Sequence, residues 1–305
     1  MREIEIATPP ELDLQQQRTT DLHSLVNVLN IITLQLGELG MDFPNYHPEL
    51  SAMEDEVIDL ARGFQTEDDL VPLVAQLRGI EARILEQLDA MLAEIDFAEH
   101  RSQITAAKEN FISIYEILNV RLDEFVFRLE EPDVWIEIEA DTLRQQMQDV
   151  FSAIEKNANG RYYIHFNLAL KHSNDYYIDL RIENDNPDKK IRMPLRLKDV
   201  LRDLLANARK YTKPGGKVAL ALHQSEECIQ CVIEDSGCGI PEDEIEKVTE
   251  FGYRATNVRQ YRTMGGGFGL TKAVWLVLSW GGSFSIASGL DKGTLIRITI
   301  PNKHS

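Results

Sequence analysis

The sequence predicts an α-helical bundle followed by an α+β two-layer sandwich with a mixed sheet. Three observations carry the prediction. Apolar residues recur at spacings of three and four through the first 130 positions, then alternate in short runs from Trp135 onward. Between residues 11 and 130, proline is confined to positions 44–48 and 72, whereas Gly and Pro punctuate the second half. A length of 305 residues suits two domains, each able to bury its own core. The change of character at Glu131-Pro132 sets the division at 1–131 and 132–305.

In the first half, Leu22, Leu25, Leu29, Ile32 and Leu36 form one stripe, predicting a helix over 12–39 closed by Gly37 and Gly40. MDFPNYHPE reads as a loop and PELSAMEDEVIDLARGF as a shorter helix. Leu70, Val74, Leu77, Ile84, Leu88, Met91 and Ile95 make a second stripe. Ile104, Ala107, Phe111, Ile114, Leu118, Leu122, Phe125 and Leu129 hold a seam of bundle type over 101–130.

In the second half, DTLRQQMQDVFSAIEKNA predicts a helix capped by Asp141. RYYIHFNLAL and DYYIDLRIEN predict strands turning at Asn174-Asp175. MPLRLKDVLRDLLANARKYT reads as a helix, KVALALHQ and CIQCVIED as strands, and EDEIEKVTEF as a short helix. LTKAVWLVLSW is a longer helix, and SFSIASG and GTLIRITIP close the sheet. Strands interleaved with helices but joined by short turns indicate an α+β sandwich.

Composition excludes some functions. A net charge of −18 with no basic stripe argues against nucleic acid and favours a protein partner with a basic rim. No stretch approaches the roughly 20 apolar residues of a membrane span, and the N-terminus lacks a signal-like apolar run. With three cysteines, the expectation is a reducing cytoplasm. Cys228 and Cys231 form C-x-x-C within a strand, where a spacing of three points them to opposite faces, so they read as small core residues.

Four motifs follow one another: DLLANARKYT with Asp203, Asn207, Lys210 and Tyr211; DSGCGIP with Asp235, Gly237 and Gly239; FGYR ending in Arg254; and GGGFGL with Gly265, Gly267, Gly269 and Leu270. Gly293-Thr294 opens the last strand. A strand-end Asp followed by two glycines offers a fixed carboxylate beside backbone that a ligand can approach closely. Such a carboxylate accepts a hydrogen bond from an exocyclic amine, as on adenine. A glycine run before a helix suits phosphate, because free N–H groups and the dipole favour anions there. Asn207 can offer a neutral oxygen to Mg²⁺. Each signal alone is weak; the ordered set is specific for a nucleotide.

This set resembles the GHKL superfamily (gyrase, Hsp90, histidine kinase, MutL) and, within it, the catalytic domain of histidine kinases, over about 160 residues. The resemblance implies a Bergerat-type ATPase fold, ATP as ligand and Mg²⁺ held by Asn207. It implies that Asp235 binds the adenine amino group, and that Lys210 and Tyr211 lie at phosphate and base. Arg254 leads into a lid over 253–264, and Thr294 lies beside the adenine pocket. Asp203 stands where histidine kinases usually carry Asn; hydrolytic branches carry a Glu there that activates water. Asp203 therefore reads either as a base or, in the simpler reading, as a water-mediated contact to the metal.

His23, Asn27 and Asn30 share one helical face at i, i+4 and i+7. The segment is similar to the phosphoacceptor box of dimerisation-and-phosphotransfer domains, with Asn27 where an Asn or Thr orients water during phosphatase action. Ser24 replaces the usual acid after the histidine. The expected function is a histidine kinase that autophosphorylates His23 and passes the phosphoryl group to the receiver domain of a response regulator. The alternatives are a phosphatase or phosphotransfer protein and a nucleotide-dependent binding module. A homodimer and a sensory partner protein are further expectations, and residues 41–98 form a helical insert beyond the minimal hairpin.

Overall fold

The computed structural model describes residues 1–66, 69–130, 134–156, 160–259 and 267–303. The chain divides into two compact units, residues 13–132 and residues 1–12 with 133–305.

The helical unit contains α1 (Leu14–Asp42), α2 (His47–Thr66), α3 (Val71–Glu94) and α4 (Ala98–Glu130). α1 packs on α2 and α4, and α3 packs on the same two, so the segment over 41–98 closes a ring of four helices. Asp13 starts α1 with a capping box: its carboxylate accepts from the Gln16 N–H at 2.7 Å, and the Gln16 side chain accepts from the Asp13 N–H at 3.1 Å. The predicted stripes line the core, where Leu29, Ile32, Leu36, Leu77, Ile84, Phe111 and Leu118 are fully buried. Gly37 and Gly40 do not end α1, which runs on to Asp42. Instead they admit α2: a Cβ on Gly37 would stand 3.3 Å from Glu54 Oε1, and one on Gly40 would stand 3.4 Å from the His47 ring.

The sheet unit contains β1 (Arg2–Ile6), β2 (Trp135–Glu139), α5 (Ala140–Lys156), β3 (Ile164–His165), β4 (Tyr176–Asn184), β5 (Lys190–Pro194) and α6 (Leu197–Tyr211). After these come β6 (Lys217–Gln224), β7 (Cys228–Asp235), α7 (Gly269–Ser279), β8 (Ser283–Ser288) and β9 (Thr294–Pro301). Among the described residues the main sheet has the order β1-β8-β9-β7-β6-β4-β3, and β2 pairs with β5 separately. β3–β4 and β4–β6 are parallel and the other pairs antiparallel, so the sheet is mixed. Alternation along β6 and β7 puts Val218, Leu220, Leu222, Ile229, Cys231 and Ile233 on one buried face. Leu143 and Met147 of α5, Leu201 and Leu205 of α6, and Val274 and Val277 of α7 cover it. Each such side chain contributes about 1.5–3 kcal/mol by leaving water.

Several local expectations change. Residues 2–6 belong to the sheet unit and not to the helical half, because β1 pairs along β8 with Ile6 opposite Phe284. The alternation in Arg-Glu-Ile-Glu-Ile is the signal for that strand. Asp141 lies inside the first turn of α5 rather than at its cap. The strand expected over RYYIHFNLAL shrinks to β3, followed by a 3₁₀ turn whose Ala169 N–H donates to Asn167 Oδ1. β3 also runs parallel to β4, so no hairpin forms there. The buried Asp175 carboxylate fixes this loop by accepting from the N–H groups of Tyr163 and His172 and from the His165 ring. Met193-Pro194 ends β5 instead of opening a helix, and EDEIEKVTEF holds only a 3₁₀ turn at Lys247–Thr249.

Ile6 is a buried part of the sheet-unit core. Ile6→Asp is expected to lower the stability of this unit by about 1–3 kcal/mol, read as a shift of its urea midpoint with the helical unit's transition unchanged.

Candidate nucleotide site and candidate phosphoacceptor

α6 forms because Leu197, Val200, Leu201, Leu204, Leu205 and Ala208 fall on one buried face. The opposite face carries Asp203, Asn207 and Lys210 at i, i+4 and i+7. The first turn of α7 lies against that polar face. A Cβ on Gly269 would stand 3.3 Å from Asn207 Nδ2 and 3.4 Å from Asp203 Cβ. One turn further along α7, Lys272 places its ammonium 3.2 Å from Asp203 Oδ2. The 3₁₀ turn at Lys247–Thr249 packs on the same end of α7, and Thr271 Oγ1 donates to the Glu250 carbonyl at 3.1 Å.

Asp235 ends β7 in register with Thr294, and its Oδ1 accepts from the Gly237 N–H at 2.8 Å. The following turn nests in the β8–β9 turn: Gly293 N–H donates to the Gly237 carbonyl at 3.1 Å, and Asp291 N–H to the Cys238 carbonyl at 2.8 Å. Gly239 has φ +65 and a Cβ there would meet Gly289 O at 2.0 Å; on Gly293, with φ +74, it would meet Asp235 O at 1.9 Å. Only glycine fits at either place. Burial pushes the Asp235 carboxyl up to about 6, against the hydrogen bonds from Gly237 and Thr294 that lower it.

Lys210, Tyr211 and Arg254 come together at the end of α6. The Lys210 ammonium sits 5.2 Å from the centre of the Tyr211 ring, and the Arg254 side chain hydrogen-bonds the Tyr211 hydroxyl. Burial, reinforced by the Arg254 charge, lowers Lys210 to about 8. Tyr211, Cys238, Ile240, Tyr253 and Leu270 pack on a small cluster of Val248, Ala255 and Val258. Four of the five sequence motifs therefore meet at this cluster, and Thr294 joins through Asp235. Gly267 (φ +79) and Gly269 lie where α7 begins. Gly265, and positions 260–264 of the expected lid, lie outside the described residues.

Four residues of this site escaped the sequence reading. Ser288 is fully buried, accepts from the Ile240 N–H at 2.9 Å and donates to the Gly293 carbonyl at 2.8 Å. Asn257 donates to the Gly239 carbonyl at 2.9 Å. Phe268 stacks on Phe251 with ring centres 4.4 Å apart, joining the segments on either side of the lid. Lys272 is the fourth, and a lysine inside the apolar run LTKAVWLVL is the one clear signal among them. The other three are ordinary residues, at the end of β8, in a 3₁₀ turn and just before α7.

In the helical unit, Asn27 Nδ2 donates to His23 Nε2 at 3.1 Å, and both side chains are half-buried. Accepting there places the ring proton on Nδ1 and leaves Nε2 with the lone pair. The axis of α1 turns by 57° between Leu14–His23 and Leu25–Asp42, so the pair sits at the bend. Among the described residues no single helix is long and apolar enough to cross a membrane. The two bent pieces of α1 pass that test together by length and composition only, and Leu22, Leu25, Leu29, Ile32 and Leu36 within them are buried in the bundle.

The two shifted groups set a pH window. If Asp235 accepts from adenine and Lys210 binds phosphate, as the resemblance implies, the first must be ionised and the second charged. ATP affinity is therefore expected to fall both below about pH 6 and above about pH 8, the limbs set by these two groups. Titration of binding with a fluorescent ATP analogue checks this. Asp235→Asn should bind at least tenfold more weakly, on the order of 1.4 kcal/mol, and should lose the acid limb.

Residues 193–304 match the family model described as histidine kinase-, DNA gyrase B- and HSP90-like ATPase. The sensor histidine kinase RppB of Synechocystis sp. is 35% identical over 102 residues, which are 33% of this chain and 22% of that protein. The sensor histidine kinase WalK of Bacillus subtilis is 33% identical over 122 residues, 38% of this chain and 20% of its own length. The adaptive-response sensory kinase SasA of Prochlorococcus marinus is 38% identical over 107 residues, 35% of this chain and 29% of its own length. The matched part thus spans less than a third of each of these relatives. Among solved structures, the catalytic domain of histidine kinase ThkA superposes with TM-score 0.39 at 22% identity, over 55% of this chain and 95% of that one. Full-length ShkA in complex with AMPPNP gives 0.47 at 19% identity, over 76% of this chain and 45% of that one. The family match falls within the sheet unit, on the stretch that holds α6, α7 and the turn after Asp235.

Proposed function

We propose that the chain is a two-component histidine kinase that binds Mg-ATP in the sheet unit, phosphorylates His23 and passes the phosphoryl group to a response-regulator receiver domain. The observation that carries this reading is the gathering of Tyr211, Cys238, Tyr253 and Leu270, one from each of four motifs, around one small cluster, within a stretch that matches the ATPase family. In this reading Asp235 accepts from the adenine amino group and Thr294 supports it from the neighbouring strand. Lys210 and Arg254 balance phosphate charge, and the first N–H groups of α7 face the phosphates. Asn207 supplies one neutral oxygen to Mg²⁺. Among the described residues no group of three or more His, Cys, Asp or Glu could hold a metal. That donor set fits an ion that takes its remaining ligands from phosphate oxygens and water. Bound there, the ion would supply charge neutralisation for the transferred phosphoryl group.

In the transfer step the His23 Nε2 lone pair attacks the γ-phosphorus as the bond to the β-bridging oxygen breaks. ADP leaves with that electron pair, and the ring proton on Nδ1 is free to go to solvent. Asn27 donates to that same lone pair, so this bond opens before Nε2 attacks. On α1 beyond the bend, Asn27, Asn30, Leu34 and Met41 share one face, and Leu34 and Met41 are exposed apolar residues. A receiver domain is the partner proposed for that face. The Asn27–His23 bond also supports a second reading, in which the pair acts mainly as a phosphatase or phosphotransfer site, with Asn27 directing water.

Incubation with γ-labelled ATP and Mg²⁺ tests the proposal. Acid-labile label is expected on the wild type and absent from His23→Ala; tight ATP binding without any label would sink the kinase reading. Asn27→Ala is expected to slow loss of label from phospho-His23, and unchanged loss would remove the phosphatase role. Mass in solution shows whether a second copy joins, as in a homodimer, or the four-helix ring suffices within one chain.

A further inference from the structure

Lys272 has no role in the function proposed above. It lies in an apolar helix between Thr271 and Ala273, and its side chain is 2% exposed, against 22% for Asp203. An ammonium taken so far from water costs several kcal/mol unless it is paired in good geometry. The partner is the Asp203 carboxylate at 3.2 Å, one helical turn before Asn207. Gly269 brings the two helices close enough for the pairing, since a Cβ there would already touch Asp203 and Asn207.

We propose that Lys272 is a positioning residue of the nucleotide site: its ammonium holds Asp203 Oδ2 and keeps this carboxylate from acting as a base toward water. The inference rests on nucleotide binding at this site, but not on His23 as acceptor. A free carboxylate one turn from Asn207 would take a proton from a water attacking the γ-phosphorus, releasing ADP and inorganic phosphate. With a cation on Oδ2, its charge is balanced and that oxygen is held toward Lys272 instead of toward water. The pair then behaves as a neutral polar unit, as an asparagine would, and the γ-phosphoryl group is kept from solvent. The two helices thus carry matched charges at one contact, and each residue accounts for the other.

The test measures inorganic phosphate released from Mg-ATP in a His23→Ala background, where transfer to that histidine cannot consume nucleotide. Lys272→Met is expected to raise release on the order of a hundredfold, the low end of what a positioned base contributes. Asp203→Asn/Lys272→Met is expected to bring release back to the starting level. Binding of a fluorescent ATP analogue should persist in all variants, and Lys272→Arg should release phosphate as the parent does. If Lys272→Met is too unstable to isolate, Lys272→Gln carries the same expectation. Thermal melting separates a purely structural pair, which would lower the melting temperature and leave release per bound ATP unchanged. That outcome, or elevated release persisting in the double variant, overturns the proposal. Loss of analogue binding by the parent itself would instead remove the nucleotide reading on which the inference stands.

Discussion

The candidate site depends on the close approach of two backbone turns. The turn after Asp235 and the turn between β8 and β9 lie so near each other that Cβ atoms on Gly239 and Gly293 would overlap backbone oxygens. Their N–H and carbonyl groups bond across the gap, and the buried Ser288 hydroxyl links both sides. This nesting fixes the carboxylate of Asp235 at the end of its strand. The strand in turn holds its register with Thr294 through the ladder of β7 and β9. A carboxylate held in this way cannot turn out to water, which is why burial raises its proton affinity.

Much of this was legible in the sequence because it depends on residue types that few other roles explain. A strand-end Asp, spaced glycines and an Asn one turn before a Lys-Tyr pair mark backbone approach and charge directly. The α6 and α7 helices were readable from their apolar spacing, as were the long seams of the bundle. Other features were set by tertiary contacts. The run RYYIHFNLAL has strand composition, yet Asp175 draws its backbone and His165 into a loop. Gly37 and Gly40 looked like a helix end, and close packing on α2 keeps them inside α1. Ser288 and Asn257 gave no signal, since a hydroxyl or amide acquires its role only from the carbonyl it meets.

The two units solve different problems with charge. The sheet unit buries charge deliberately, with Lys272 paired to Asp203 and Arg209 laid over the rings of Tyr162 and Tyr176 at 4.7 and 5.0 Å. The helical unit keeps its ion pairs outside, as Arg62 with Asp59 and Arg78 with Asp123 illustrate. Exposed pairs of that kind add little stability. The core of the bundle therefore rests on its apolar seams, and His23 with Asn27 is a polar interruption at the bend of α1.

Strand β1 gives the chain an unusual thread path. The polypeptide leaves the sheet unit after Ile6, makes the whole four-helix ring and returns at Trp135, so the ring is an insertion and not an appendage. The connector over 7–13 has seven residues and reaches at most about 25 Å when fully drawn out. The bundle is consequently continuous in sequence with the sheet unit at both of its ends. β1 is an edge strand, so the sheet holds the first of these ends through a single ladder with β8. Peeling that one edge strand would leave the chain entering at Trp135 as the bundle's sole link to the sheet.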